Sequence, residues 1–268
     1  MPIIKYIMSV INKKSLLISG NIITLAIALA VNMLANILPI NGRTTGEISD
    51  SIPNLFAPAG YVFAIWGLIY VLLIVFAVYQ VLPKNRDNAF LEKIGLAFIT
   101  GNLANSSWIF LWHYDQVVLS LVAMLVLFAT LLYIYLKLDI GRQEIPQEEK
   151  LAVHLLFSVY LGWITVATVA NVTAVLVTLN WDGFGINDII WTSIILITVL
   201  IITLLMISTR KDYAYSFVII WAVVGIAVKQ WTAVPEVALV ALLVAILVGA
   251  SLVAIKLNVR ERFLKRVN

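Results

Sequence analysis

The segment "VYLGWITVATVAN", residues 159–171, lies inside one of the most apolar stretches of the chain, yet it carries a tyrosine, a tryptophan, two threonines and an asparagine. Hydrocarbon offers such groups no hydrogen-bond partners, so a helix in lipid turns them toward other helices or toward a ligand. At about 100° per residue, one face about 80° wide carries Tyr160, Trp163, Ala167 and Asn171. The segment therefore predicts a transmembrane helix with an aromatic and amide-bearing face inside a bundle.

The composition shows that the rest of the chain has the same character. Of its 268 residues, 62% are hydrophobic and 12% are charged, whereas a soluble domain is about half apolar and about a quarter charged. A spanning helix needs roughly 20 apolar residues. Runs of this length predict eight spans, at 16–39, 58–82, 93–113, 116–138, 151–178, 188–209, 213–230 and 236–256. Because these runs are continuous and not alternating, the predicted fold is an all-α, polytopic membrane bundle.

The lysine and arginine residues predict the orientation of the bundle. With eight spans, all but Arg43 and Lys229 of the 18 basic residues fall on one side. Cytoplasmic loops carry the excess of positive charge, so we expect both termini to be cytoplasmic. We expect the membrane to be the plasma membrane. The basic tail at 256–268 follows the last span directly, which favours contact with anionic lipid over nucleic-acid binding.

Residues suited to catalysis are scarce. The chain has no cysteine, which excludes disulfides and thiolate chemistry, and it has no HExxH, GxSxG or glycine-rich phosphate motif. Its two histidines are His113, at the outer end of the third span, and His154, near the start of the fifth. We interpret His113 as an interfacial residue in preference to a haem-iron ligand. No catalytic residue, metal site or obligatory cofactor is predicted.

Two further spans carry faces like that of residues 159–171. Within residues 101–113, a face about 120° wide carries two amides and two indoles: Asn102, Asn105, Trp108 and Trp112. Within residues 63–70, one face carries Phe63, Trp66 and Tyr70. A hydrogen bond between helices explains each polar residue taken alone. Three convergent faces together favour a pocket for a flat, largely apolar ligand.

These motifs resemble those of the TspO/MBR family, the tryptophan-rich sensory and translocator proteins. Residues 159–171 are similar to the fifth-helix pattern P-Y-x-x-W-x-x-F-A-x-x-x-N, with Val159 and Val166 in place of its proline and phenylalanine. Residues 105–112 are similar to the third-helix pattern N-x-x-W-x-x-x-F, with Trp112 at the aromatic position. The second-helix pattern fits less closely, because Gly60 and Val62 replace two of its aromatic residues. The resemblance covers residues 16–180.

The resemblance implies a five-helix bundle, often dimeric, that binds a tetrapyrrole such as porphyrin or haem, or a sterol, in a pocket closed by the loop after the first helix. It implies that the pocket is lined or supported by Trp66, Tyr70, Asn105, Trp108, Trp112, Tyr160, Trp163 and Asn171. Tryptophan-linked porphyrin breakdown is also proposed for the family, and Trp163 is the matching residue. The expected partners are the bilayer, the ligand and a second copy of the chain.

The loop at 179–188 separates five spans rich in Asn, Trp and Tyr from three others. We therefore predict a TspO-like domain at 1–180 and a three-helix extension with a basic cytoplasmic tail at 181–268. Small residues at steps of four, Ala241, Ala245 and Gly249, predict close packing of the last span. The expected function is that of a receptor or sensor. Two alternatives stay open: a transporter or permease component for a small hydrophobic molecule, and a structural partner of another membrane protein.

Overall fold

The computed structural model describes residues 13–267, with side-chain environments for residues 14–257. Eight long helices follow the order of the predicted spans: α1 (Lys13–Ile37), α2 (Ile65–Val81), α3 (Ala97–His113), α4 (Val117–Lys137), α5 (Leu155–Thr178), α6 (Asp188–Arg210), α7 (Tyr213–Gln230) and α8 (Pro235–Val267). Residues 13–267 contain no strand. The predicted all-α bundle is confirmed.

Seven helices in the described part of the chain are long and apolar enough to cross a membrane. The remaining long helix is α3, which has 17 residues and a length of about 26 Å. The third span was predicted to begin at residue 93, but Gly95, at φ 54°, ends the short helix Ala89–Ile94, and α3 begins only at Ala97. The helices α2 and α3 have 17 residues each, and α2 reaches the length of a span together with the preceding turn Gly60–Ala64. The protein is a multi-pass membrane protein.

Helix α5 occupies the centre of the bundle. It is the most buried of the candidate spans, and it contacts α2, α4 and α7. Gly162 allows the close approach of α7, because a Cβ atom at this position would lie 3.1 Å from Cβ of Val218. Around this centre, α1 and α4 pack on α3, and α6 and α8 pack together beside α7. The face of residues 159–171 is therefore turned inward, as the sequence predicts.

Helix α7 joins the predicted C-terminal extension to the entrance of α2. Trp221 Nε1 donates to the carbonyl oxygen of Val62 (3.0 Å). The backbone N–H of Ala59 donates to the carbonyl oxygen of Gly225 (3.1 Å). A Cβ atom at Gly225 would lie only 2.1 Å from Cγ2 of Val62. The packing of α7, which belongs to the predicted extension, thus positions the turn Gly60–Ala64 that precedes α2 in the predicted N-terminal domain.

Replacing Gly225 with alanine is expected to destabilise the bundle by about 1–3 kcal/mol, the usual cost of overpacking. Val62 is fully buried, and a β-branched side chain turns about χ1 with difficulty. Gly249→Ala is the matched control, because no atom lies within 4 Å of a Cβ at that position. Thermal unfolding in one detergent would compare them. Equal midpoints for the two variants would show that α7 does not contact the turn in this way.

The two ends of the bundle differ in charge. At one end, which we call the basic end, side-chain pairs join successive connections: Lys14–Glu92, Lys84–Glu148, Lys93–Gln143 and Arg210–Asp139. At the opposite end the ion pairs are Arg43–Asp115 and Lys229–Asp50. This agrees with the predicted sidedness for these residues. The tail residues Arg260, Arg262, Lys265 and Arg266, and also Lys5, lie outside the residues whose side chains are described, and the cytoplasmic position of the termini stays a prediction.

The predicted small-residue stripe of α8 is only partly used within the chain. Ala241 is fully buried, Ala245 is half-buried, and no atom lies near a Cβ built at Gly249. The buried face of α8 consists mainly of Val237, Ala238, Ala241, Val244, Val248 and Leu252. Close packing is thus found at the first stripe residue, and a homodimer contact at the others stays a prediction.

Candidate functional site

A cavity lies where the aromatic faces of α2, α3 and α5 meet. Its walls include five of the eight residues predicted from the sequence: Trp66, Trp108, Trp112, Trp163 and Asn171. Six more wall residues come from the connection between α1 and α2: Thr45, Ser49, Ile52, Asn54, Pro58 and Phe63. The cavity is therefore enclosed by α2, α3 and α5, by one residue of α4, and by the loop that the family resemblance indicates.

The cavity is small in this closed form. Its free space is about 50 Å³, whereas pockets that hold drug-sized ligands have volumes of about 300–1,000 Å³. Space for a few waters is present, but a tetrapyrrole does not fit between these walls as they stand. Binding of such a ligand requires the walls to move apart.

Two indoles in the wall are fixed by hydrogen bonds. Trp108 Nε1 donates to Oδ1 of Asn171 (3.0 Å), and Trp112 Nε1 donates to the carbonyl oxygen of Thr45 (3.3 Å). The two rings are stacked, with centroids 5.5 Å apart and planes inclined by 18°. Asn171 donates in turn to Ser120 Oγ on α4 (3.1 Å). This wall is a rigid aromatic surface in which the indole N–H groups are already paired.

Trp163 differs from these two indoles because its N–H group is unpaired. Its ring meets Phe63 and Trp66 edge to face, with centroids 5.8 and 6.2 Å away. The side chain is 2% exposed, and its Nε1 finds no hydrogen-bond partner among the described residues. A buried donor left without a partner costs about 1–3 kcal/mol. An acceptor on a bound ligand would remove that cost, so Trp163 is a candidate polar contact as well as an aromatic one.

The other three predicted residues lie outside the cavity walls. The Tyr70 hydroxyl donates to Oδ1 of Asn32 (3.0 Å), and Nδ2 of Asn32 donates to Oδ1 of Asn105 (2.6 Å), which joins α1, α2 and α3. Tyr160 is buried edge to face against Trp66, at a centroid distance of 6.0 Å. These residues connect the helices beside the pocket, as expected for supporting residues in hydrocarbon.

The sequence had not singled out several wall residues. Ala170 and Ala174 line the cavity, and they lie two and three helical turns after Trp163, so the same periodicity could have found them. Met124 reaches the cavity from α4, on which no face had been recognised, because a methionine in an apolar run is not distinguishable from lipid-facing residues. Val166 also lines the cavity, at the position where the family pattern has phenylalanine.

We call residues 44–58 the lid. Asn54 attaches it to α5, because Nδ2 of Asn54 donates to Thr173 Oγ1 (2.8 Å) and to the carbonyl oxygen of Ala170 (3.1 Å). Hydrogen bonds of this kind stabilise by about 0.5–1.5 kcal/mol each. The lid is thus fastened directly to the helix that carries Trp163.

Helix α7 holds the lid from a second side. Lys229 forms an ion pair with Asp50 (2.6 Å), and Gln230 Nε2 donates to the carbonyl oxygen of Leu55 (3.2 Å). An exposed ion pair contributes about 0–1 kcal/mol, so each of these contacts is individually weak. Helix α7 therefore contacts the lid directly and does not only pack beside the cavity.

The helical part of the lid, Thr45–Ser51, begins with a capping box. The Thr44 backbone N–H and hydroxyl donate to the Glu47 carboxylate, and these hydrogen bonds hold the pKa of Glu47 below its ordinary value. A lowered folded-state pKa adds stability above the ordinary pKa of glutamate, and this contribution is lost as the pH falls through the lowered value. The cap therefore stabilises the lid helix at neutral pH and releases it in acid.

His113 lies at the end of α3 but does not line the cavity. It is completely buried and not at an exposed interface, and its Nδ1 is 2.8 Å from the carbonyl oxygen of Ile109. This contact makes Nδ1 the protonated nitrogen, and Nε2 has no partner among the described residues. The described residues contain no cluster of His, Asp and Glu that could hold a metal ion.

Comparison with known proteins agrees with these features. A family model described as "TSPO-like protein" matches residues 16–254. The match continues past residue 180, where the three sequence motifs end, and it includes α6, α7 and most of α8. Neither the curated proteins nor the solved structures gave a match. Since the family model covers nearly the whole chain and the aromatic motifs converge on one cavity, the chain belongs to the TSPO-like family.

Proposed function

We propose that the protein is a membrane receptor that binds a flat, largely apolar ligand, a tetrapyrrole such as porphyrin or haem, in the aromatic cavity. The observation that carries the proposal is the buried, unpaired N–H of Trp163 in a wall of four indoles. Aromatic faces and edges attract flat rings, and the N–H supplies a donor for a ligand acceptor. The chemistry of the wall thus suits such a ligand once the lid has opened.

Binding on this proposal requires the lid to open. The closed cavity of about 50 Å³ is far below the size of a ligand pocket, and the lid supplies much of its wall. The polar contacts of the lid with α3, α5 and α7 are single hydrogen bonds and one ion pair. The aromatic walls on α2, α3 and α5 stay in place, while the lid moves to admit the ligand.

Titration of the detergent-purified protein with protoporphyrin IX and haem, followed by quenching of tryptophan fluorescence, tests the proposal. Trp163→Leu removes one aromatic contact and one hydrogen-bond donor, which together are worth about 1–3 kcal/mol, and it should weaken binding about tenfold or more. Trp231→Leu is the control, because Trp231 is 56% exposed and outside the cavity. Absence of saturable quenching, or equal affinities for the two variants, would count against the proposal.

A further inference from the structure

A second cavity, of about 730 Å³, lies at the basic end of the bundle. It is bounded by the loop between α4 and α5, by the first turns leading into α5, and by the turn between α6 and α7. Its volume falls within the range of about 300–1,000 Å³ typical of ligand sites. Unlike the aromatic cavity, it is open in this structure and lined largely by polar side chains.

The floor of this cavity contains an unpaired histidine. His154 is 5% exposed and lines the cavity, yet its ring forms no hydrogen bond with any described residue. It ends the π-helical turn Lys150–His154, a rare distortion that is frequent at functional sites. The imidazole is therefore available to a group bound in the cavity.

The one carboxylate on the floor is already engaged by the protein. Asp212 Oδ2 accepts from the hydroxyls of Tyr135 (2.8 Å) and Ser158 (2.7 Å), and its Oδ1 accepts from the backbone N–H of Tyr215 (3.0 Å). These three donors satisfy much of its hydrogen-bonding capacity. Asp212 therefore acts as a structural cap of α7 and does not make the cavity a cation site.

The rim of the cavity carries three cations without carboxylate partners among the described residues: Arg142, Lys150 and Lys211. Arg142 Nε donates to the carbonyl oxygen of Thr209 (3.1 Å), which positions the guanidinium while its terminal nitrogens remain available. Glu144 is the only acidic side chain among the described rim residues. The excess of positive charge suits an anion.

The wall that carries Arg142 is held in place by close packing. Gly141 has φ +85°, and a Cβ atom there would lie 2.0 Å from the carbonyl oxygen of Arg210. Arg210 in turn donates to the side chain of Asp139 (3.0 Å) and to the carbonyl oxygen of Ile140 (3.1 Å). The loop is thus fixed against the end of α6, and the cavity is preformed.

We propose that this cavity binds a phosphate ester, with Arg142, Lys150 and Lys211 around the charged group and His154 donating to it from the floor. A guanidinium matches the oxygens of phosphate in a bidentate manner. Two sources carry this chemistry: the headgroup of an anionic phospholipid at the membrane surface, since basic pockets between transmembrane helices bind such headgroups, and a phosphate ester in solution. The site is at the basic end, outside the aromatic cavity, and does not depend on the function proposed for that cavity.

Calorimetric titration of the full chain in a zwitterionic detergent tests the site with two probes, short-chain phosphatidic acid and glycerol 3-phosphate. Binding of both identifies a site for the phosphate ester itself, whereas binding of phosphatidic acid alone identifies a lipid headgroup site. Replacing Arg142, Lys150 and Lys211 together with glutamine should weaken binding about tenfold or more. The matched control replaces Arg86, Lys137 and Lys256 with glutamine, since these residues lie outside the cavity and the same charge is removed.

His154→Leu distinguishes a built site from surface attraction, because it leaves the rim charges unchanged. It should weaken binding severalfold while the unfolding midpoint without ligand confirms that the variant is folded. Binding of neither probe would overturn the proposal. Equal losses in the cavity variant and the charge-matched control, together with unchanged binding by His154→Leu, would also overturn it, since they would show attraction to the basic end as a whole.

Discussion

Fastening the lid to α5 is expected to abolish porphyrin binding. Asn54 and Thr173 are joined by a hydrogen bond of 2.8 Å, and the chain contains no cysteine, so Asn54→Cys with Thr173→Cys creates the only thiol pair. A short thiol-specific cross-linker cleavable by reduction then holds the lid in its closed position. Because the closed cavity has about 50 Å³ of free space, the affinity should fall about a hundredfold or more, into the range of non-specific binding.

Two controls separate closure of the lid from damage to the protein. The same double variant before cross-linking, and after reductive cleavage, should bind porphyrin with an affinity close to that of the parent chain. A second pair, Lys84→Cys with Glu148→Cys, replaces an exposed ion pair at the basic end and should leave binding unchanged when cross-linked. Full binding by the protein with its lid fastened would contradict entry by lid opening.

The wall residues on α3 and α5 are predictable because a lipid environment restricts which side chains a helix can expose. A polar or amphipathic side chain in a spanning helix is costly unless it faces the interior, so Trp108, Trp163 and Asn171 mark the inward faces of their helices. Seven of the eight long helices follow from the same physics, through the length of apolar sequence that a bilayer requires. Prediction was therefore strongest where the bilayer restricts the sequence most.

Depth along a helix is less predictable than direction around it. Tyr70 and Tyr160 share faces with residues that line the cavity, yet they lie outside its walls and pack or hydrogen-bond between helices. A period of 3.6 residues fixes the angle of a side chain about the helix axis, but the depth of a cavity depends on how far the helices separate. The supporting role of these residues required the three-dimensional structure.

The contributions of the lid and of α7 could not be obtained from the pattern of residues. Asn54, Lys229 and Gln230 are ordinary loop and helix-end residues in the sequence, and only tertiary contacts bring them together at the cavity. Gly225 appears as one small residue in an apolar run, although its lack of a Cβ atom sets the distance between α7 and the turn before α2.

Filling the aromatic cavity while leaving every indole in place has the second large expected effect. Ala167 lines the cavity one turn after Trp163, and Ala167→Leu adds apolar volume there without removing a hydrogen bond. Because the added carbons occupy space that the ligand needs, binding should weaken about a hundredfold. Ala250→Leu is the matched control, since Ala250 is exposed on α8. The unfolding midpoints of both variants show whether the added volume destabilises the bundle.

The most direct measurement is equilibrium binding of protoporphyrin IX, followed by its absorbance, to the parent chain, Ala167→Leu and Ala250→Leu. Saturable binding by the parent chain and by Ala250→Leu, with loss of saturable binding by a folded Ala167→Leu, is the expected result. Equal binding by all three proteins would contradict the central claim that the aromatic cavity between α2, α3 and α5 is the ligand site.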